Sequence, residues 1–263
     1  MKKFDLQGTG VALVTPFHKQ GTIDFTSLGR LIDHTIEGGV DYVVCLGTTS
    51  EYPTLSSQEQ LAVVEFTIEK VENRVPVVLG MGGNDTRSLV DKIRQTDMSS
   101  IAAILSVAPY YNKPNQKGLY AHYKAIAEAS NTPIILYNVP GRCGVNMTAE
   151  TTLQLANDFS NIIGIKEASG NMAQCMEILA NKPQGFTVVS GEDALVLPMI
   201  ALGAQGVISV AANAYPNIMS ELVTHSLKSN MKKARAVHEK LLPFSNAIFD
   251  EGNPTGIKAA LEI

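Results

Sequence analysis

The sequence IIGIKEASG at residues 162–170 joins an apolar run of strand length to a polar turn. Its first four residues are apolar on both faces, a pattern typical of a strand buried in a parallel sheet. Lys166 follows them directly, so a cation stands at the end of a strand that we expect to be buried. Seven other runs share this length and this richness in Val and Ile. They are Gly10–Val14, Tyr42–Leu46, Val75–Gly80, Ala102–Val107, Ile134–Tyr137, Phe186–Val189 and Val207–Val210.

The segments between these runs have helical patterns, and one of them opens with a capping box formed by Ser56 and Glu59. Eight strand–helix units in series, with right-handed crossovers, predict an α/β fold of the (β/α)8 TIM-barrel type. A doubly wound open sheet is the alternative, but no Gly-x-Gly-x-x-Gly motif follows the first strand. We assign residues 1–230 to the barrel catalytic domain and residues 231–263 to a C-terminal helical appendage.

The composition excludes several classes of protein. Hydrophobic residues make up 45% of the 263 residues, which is enough for a large core. The formal net charge of -4 argues against a generic nucleic-acid or anionic-membrane surface. Three cysteines without a Cys-x-x-Cys motif fit a reduced, cytoplasmic setting. The first five residues reach an acid before any apolar run, so we expect no signal peptide.

Lys166 is the strongest candidate for a catalytic residue. The active site of such a barrel lies at the C-terminal ends of its strands, where Lys166 is expected. Burial favours a neutral amine, which is the form that attacks a ketone to give a Schiff base. The alternative is a structural lysine paired with Glu167 or another acid.

Hydroxyl and guanidinium groups follow the neighbouring strands. Tyr137, at the end of the fifth strand, could shuttle a proton, although a half-buried core tyrosine is the commoner case. Thr48, Thr49 and Tyr111 could extend a chain of hydroxyl groups, and the two threonines could also hold a carboxylate or simply form a turn. Arg142 suits a carboxylate, unless it is a surface arginine.

Metal chemistry has little support in the sequence. The five histidines have no metal-ligand spacing, and we expect His34, His122, His225 and His238 to face solvent. The turn at residues 190–193 could bind a metal, but the solvated start of a helix is the favoured interpretation.

Four motifs together resemble the 4-hydroxy-tetrahydrodipicolinate synthase family, one of the Schiff-base-forming class I pyruvate aldolases. The resemblance runs from about Gly8 to Lys258. Each motif is weak alone, but this order at the ends of strands two, four, five and six is specific. The motifs are GTTSE at 47–51, PYYN at 109–112, YNVPGR at 137–142 and GIKEASG at 164–170.

The resemblance implies roles for the catalytic residues. Lys166 forms the Schiff base with pyruvate, and Tyr137 relays protons and orients the adduct. Thr48 links Tyr137 to Tyr111 in a hydrogen-bonded triad. In the family the tyrosine at position 111 reaches into the site of a neighbouring subunit, so a dimer completes the triad.

The resemblance also implies how the substrates bind. Thr49 binds the pyruvate carboxylate, Arg142 holds the carboxylate of aspartate semialdehyde, and the carbonyls of Gly191 and Ile208 lie near the lysine. The lysine iminium is itself the electron sink, so no metal or organic cofactor is expected. The implied assembly is a homotetramer of two tight dimers, and the implied pathway is lysine and diaminopimelate biosynthesis.

Three departures from the family accompany the match. Ser57, Gln60 and Ser88 stand where lysine-inhibited members of the family have histidines and a glutamate at the dimer interface, so we do not expect feedback inhibition by lysine. Ser50 replaces a glycine, and if that position has positive φ the serine costs about 1 kcal/mol. The family continues with further C-terminal helix, so we expect an incomplete appendage, with stability and assembly rather than catalysis affected.

Two other functions stay open. A sister aldolase, such as N-acetylneuraminate lyase or a 2-keto-3-deoxy sugar-acid aldolase, would share Lys166 and Tyr137, but Arg142 and the Tyr110-Tyr111 pair favour the synthase. A non-catalytic barrel that senses a pyruvate-like ligand is less consistent with so complete a set of reactive residues.

Overall fold

The computed structural model describes residues 4–262. Residues 1–3 and residue 263 belong to the two assigned spans but lie outside the described residues. Residues 1–3 are also most of the five-residue start of the chain from which we expect no signal peptide. The division of the chain at residue 230 stays a prediction.

Eight parallel strands form a closed barrel in sequence order, because β1 pairs with both β2 and β8. This closure confirms the predicted (β/α)8 barrel and excludes the doubly wound open sheet. Each strand lies within two residues of its predicted position. The strands are β1 (Gly8–Ala12), β2 (Tyr42–Cys45), β3 (Val77–Gly80), β4 (Ala103–Val107), β5 (Ile134–Asn138), β6 (Ile162–Glu167), β7 (Thr187–Ser190) and β8 (Gly206–Ser209).

The strands are buried on both faces, which explains why they read as continuous apolar runs. One side of each strand packs inside the barrel, and the other packs against the surrounding helices. Gly206 allows the barrel to close, because a Cβ atom there would lie 2.0 Å from the carbonyl oxygen of Gly8.

Helices follow the strands and continue beyond the barrel. The predicted capping box is present: the Ser56 backbone N–H donates to Glu59, and the Glu59 N–H donates to the Ser56 hydroxyl. The helices are α1 (Phe25–Glu37), α2 (Ser57–Val71), α3 (Thr86–Gln95), α4 (Gln116–Ala129), α5 (Pro140–Cys143), α6 (Ala149–Asp158), α7 (Met172–Asn181), α8 (Val196–Ala201), α9 (Pro216–Leu227), α10 (Met231–Asp250) and α11 (Thr255–Glu262).

The last two helices form the C-terminal appendage. Helix α10 packs along α9, and α11 folds back against α10 and the turn at Ala211–Asn213. Ile257 of α11 is fully buried, so this short helix is docked on the barrel by an apolar contact. The appendage therefore returns the chain to the rim at the C-terminal ends of the strands.

The expectation that four histidines face solvent is wrong for His122. Its side chain is 3% exposed on the inner face of α4, where its Nδ1 lies 2.8 Å from the Thr86 hydroxyl oxygen. Burial lowers the pKa of His122 to about 4, because the charged imidazolium loses its hydration.

The three cysteines are free and buried, and burial raises the pKa of each thiol, to about 11 for Cys143 and Cys175. Among residues 4–262, no helix has the length and apolar character needed to cross a membrane.

Candidate active site

Lys166 and Tyr137 lie side by side at the rim of the barrel. They are register partners of β6 and β5, and the Lys166 Nζ atom lies 4.5 Å from the centre of the Tyr137 ring. Both side chains are buried, at 4% and 6% exposure. Across the described chain, Lys166 forms no salt bridge, so the alternative of a lysine paired with Glu167 is not seen. The amine is therefore available for chemistry, with a phenol beside it.

Glu167, the next residue, faces the other way into a buried polar network. Its carboxylate accepts hydrogen bonds from the Asn138 and Gln174 side-chain amides, both at 3.0 Å, and from the Ser169 N–H at 2.7 Å. Asn138 ends β5, and Glu167 ends β6. The network therefore ties together the two strand ends that carry Tyr137 and Lys166.

Gly191 leaves room for the lysine side chain. A Cβ atom at this position would lie 2.5 Å from the Ala168 Cβ and 2.9 Å from the Lys166 Cε. Any larger residue would have to displace the lysine or the chain after it. Ile208, the other residue expected beside the lysine, is fully buried in β8.

The turn after β2 places Thr49 inside the rim. Thr48–Ser50 form one turn of 3₁₀ helix, in which Thr49 is 2% exposed and accepts a 3.1 Å hydrogen bond from the Asn253 side-chain amide. The strain anticipated at Ser50 is absent, because the left-handed residue of this turn is Glu51, with φ 57°. The Ser50 hydroxyl instead donates to the Gly47 carbonyl at 2.6 Å.

Arg142 lies in the one-turn helix α5 that follows β5. Pro140 begins this helix at a position where its missing N–H costs no hydrogen bond. The Arg142 guanidinium donates to the Asn253 carbonyl at 2.8 Å, which leaves its other donors available to an anion.

Tyr111 lies apart from the buried residues. Its side chain is 88% exposed, and its backbone is left-handed, with φ 69°. Within residues 4–262, no hydrogen bond joins the hydroxyls of Thr48, Tyr137 and Tyr111. The triad is not assembled by one chain and stays a prediction for an oligomer.

The turn after β7 is not the solvated helix start that we expected. Asp193 is 2% exposed, and its carboxylate accepts hydrogen bonds from the Val210 and Ala211 N–H groups, at 3.0 and 2.8 Å. Burial raises the pKa of Asp193. Burial also raises the pKa of Glu192, as does the neighbouring Asp193, while the positive charges of Lys166 and Arg142 oppose that rise. In the described part of the chain, no cluster of three His, Cys, Asp or Glu residues could hold a metal.

Sequence reasoning named the turn that contains Asp193 but not the buried role of this residue, and it missed Asn253. An acid just after a strand end gave a weak signal for Asp193. Asn253 gave none, because its partner Thr49 is 204 residues away in the sequence.

The site combines a buried lysine, an adjacent phenol and two groups suited to carboxylates on a TIM barrel. A model of the dihydrodipicolinate synthetase family matches residues 5–263. The chain belongs to this family. A 4-hydroxy-tetrahydrodipicolinate synthase from Parabacteroides distasonis is 49% identical over 263 residues, covering 100% of this chain and 89% of the relative.

Solved structures of the dihydrodipicolinate synthase family agree with the fold. One is a chloride-inhibited dihydrodipicolinate synthase from Acinetobacter baumannii complexed with pyruvate. It superposes with a TM-score of 0.95 at 40% identity and covers 98% of this chain and 88% of its own. Another, described as the first monomeric dihydrodipicolinate synthase variant, has a TM-score of 0.94 at 40% identity and covers 97% of this chain and 86% of its own.

Proposed function

We propose that the chain is a lyase that condenses pyruvate with L-aspartate 4-semialdehyde to give 4-hydroxy-tetrahydrodipicolinate, in lysine and diaminopimelate biosynthesis. The observation that carries the proposal is the buried Lys166 amine, which lies beside the Tyr137 ring and forms no salt bridge with any residue of 4–262. Membership of the dihydrodipicolinate synthetase family and the relatives' shared name support it.

The reaction begins with imine formation. The Lys166 amine adds to the pyruvate ketone, and the carbinolamine loses water to give a protonated imine. Loss of a proton from the methyl group then gives an enamine, with the iminium as the electron sink. No metal or organic cofactor is needed for this step. Tyr137 is placed to carry protons to and from the carbinolamine, since its strand position pairs it with the lysine.

The second substrate then enters. The enamine carbon attacks the aldehyde of L-aspartate 4-semialdehyde, and the substrate amine adds to the imine carbon and releases Lys166. We assign the pyruvate carboxylate to Thr49 and the semialdehyde carboxylate to Arg142, whose free guanidinium donors match a carboxylate. The Gly191 and Ile208 carbonyls are assigned to the surroundings of the lysine, and Thr48 to the proton relay.

The working assembly that we propose is a homo-oligomer, a dimer of dimers. The resemblance to the family implies this assembly, and Tyr111, a large exposed aromatic residue with no hydrogen-bond partner within the described chain, supports its dimer contact. A partner's site is where such a residue would complete the triad. Mixing Lys166→Ala with Tyr111→Phe subunits tests this. Mixed dimers would regain activity if Tyr111 acts across the interface, and none if it acts within its own chain.

Borohydride reduction in the presence of pyruvate tests the mechanism. We expect a reduced pyruvate adduct on the peptide that contains Lys166, located by mass spectrometry. Lys166→Ala should remove the adduct, whereas Lys124→Ala, an exposed lysine on α4, should keep it. Absence of any adduct in the wild-type protein would overturn the Schiff-base mechanism.

Substrate assays separate this function from its relatives. Turnover of pyruvate with aspartate semialdehyde supports the proposal. Efficient cleavage of N-acetylneuraminate or of a 2-keto-3-deoxy sugar acid, without condensation, would replace it by a sister aldolase. A cytoplasmic location is also part of the proposal, since all three thiols are free and buried.

A further inference from the structure

Asn253 contacts both of the residues that we assign to substrate carboxylates. It lies between α10 and α11, with its carbonyl 2.8 Å from the Arg142 Nη2 atom and its side-chain nitrogen 3.1 Å from the Thr49 hydroxyl oxygen. Thr49 follows β2 and Arg142 follows β5, so the two residues come from well-separated strands. A single residue of the appendage therefore joins two parts of the rim.

The contact between Asn253 and Thr49 determines where the Thr49 hydroxyl hydrogen can be donated. In this orientation of the Asn253 amide, whose Oδ1 atom is buried without a hydrogen-bond partner in the described part of the chain, the nitrogen donates and the Thr49 hydroxyl oxygen accepts. The hydroxyl hydrogen of Thr49 is then free to donate to another acceptor. A carboxylate has only hydrogen-bond acceptors, so a Thr49 hydroxyl that is free to donate can bind it.

The contact with Arg142 acts on orientation. The Asn253 carbonyl takes one donor of a long, flexible side chain. A guanidinium already held in place loses less conformational freedom when a carboxylate binds.

The appendage is anchored so that Asn253 stays in position. The Lys258 ammonium pairs with the Glu51 carboxylate and lies 4.3 Å from the centre of the Phe17 ring. Ile257 beside it is fully buried. Glu51 is two residues beyond Thr49, so the anchor and the Thr49 contact hold the same turn.

We propose that Asn253 is a positioning residue for substrate binding, which orients Arg142 through its carbonyl and makes the Thr49 hydroxyl a donor through its side-chain amide. This inference rests on the proposed function, because it uses the roles assigned to Thr49 and Arg142.

The test is Asn253→Asp, which keeps the shape of the side chain but replaces the donor by acceptors. Thr49 would then donate to the new carboxylate, and the added charge would stand beside Arg142. We expect KM for pyruvate and KM for aspartate semialdehyde each to rise about tenfold, with kcat changed by less than about threefold. The matched control is Asn131→Asp, an exposed residue at the opposite end of the barrel, which should leave both KM values unchanged.

The split between KM and kcat separates positioning from a merely structural role, which would lower the melting temperature and leave both KM values alone. Unchanged KM values for Asn253→Asp would overturn the inference. If that variant does not fold, Asn253→Ala tests the Thr49 contact alone, because its main-chain carbonyl can still accept from Arg142, and KM for pyruvate must still rise. Borohydride trapping distinguishes failure of the proposed function from failure of the inference about Asn253. A wild-type protein that does not trap pyruvate fails the proposed function, whereas one that traps it, with Asn253 variants of unchanged KM, fails this inference alone.

Discussion

Lys166 and Tyr137 are register partners on neighbouring strands, and the lysine nitrogen lies 4.5 Å from the centre of the phenol ring. Strand pairing thus fixes the proposed nucleophile and the proposed proton relay relative to each other through main-chain hydrogen bonds. Rigid elements hold reacting groups more precisely than loops do.

Tyr137→Phe keeps the ring beside Lys166 and removes only the hydroxyl. If that hydroxyl relays protons, we expect kcat to fall by about a hundredfold to ten-thousandfold. Steady-state kinetics and the rate of borohydride trapping would measure the loss. Tyr120→Phe, whose hydroxyl donates to Asp158 on the protein surface, is the control and should retain full kcat. A normal kcat for Tyr137→Phe would assign the relay to another group.

Gly191→Ala places a methyl group where the Lys166 and Ala168 side chains lie. We expect slower trapping of pyruvate and a loss of about 1–3 kcal/mol in unfolding free energy, because the contacts are too short to be absorbed without movement. Gly141→Ala is matched to it, since a Cβ atom at Gly141 meets nothing within 4 Å. Equal behaviour of the two variants would show that Gly191 is not required for packing around the lysine.

Glu167→Gln places an amide nitrogen among three hydrogen-bond donors. At least one donor then loses its acceptor in a buried site, so we expect unfolding free energy to drop by about 1–3 kcal/mol. Urea denaturation measures this change. Glu65→Gln, on the exposed side of α2, should unfold like the wild type. Wild-type stability for Glu167→Gln would mean that the network rearranges without cost.

His122 should make stability depend on pH. Its pKa is about 4 in the folded protein and 6.5 as the ordinary value, so the unfolded chain binds the proton more tightly. The contribution of neutral His122 to the unfolding free energy is fully present above pH 6.5 and is lost as the pH falls toward 4. The loss amounts to about 3 kcal/mol over that window.

His122→Gln cannot titrate, so the gap in unfolding free energy between it and the wild type should shift by this amount between pH 7 and pH 4. His34→Gln, at an exposed histidine, keeps His122 and should lose stability between pH 7 and pH 4 as the wild type does. A gap that stays constant with pH would show that the buried imidazole is not the titrating group.

Local sequence pattern predicted the barrel well, because strands that are apolar on both faces leave a clear signal between helical segments. It also placed Lys166 and Tyr137 at the same rim, since the ends of parallel strands meet there. It could not predict His122, because an isolated polar residue in a helix does not reveal which face is buried. Nor could it predict Asn253, whose role depends on how the appendage folds back onto β2 and β5.

The contact between Asn253 and Thr49 also bears on synthesis. A ribosome that has just added Thr49 must add 204 more residues before the partner of that hydroxyl exists. Throughout that interval the growing chain can acquire strands and helices but not the finished anion-binding rim. The rim that we propose for anion binding is therefore completed only after all eight strands of the barrel have been synthesised.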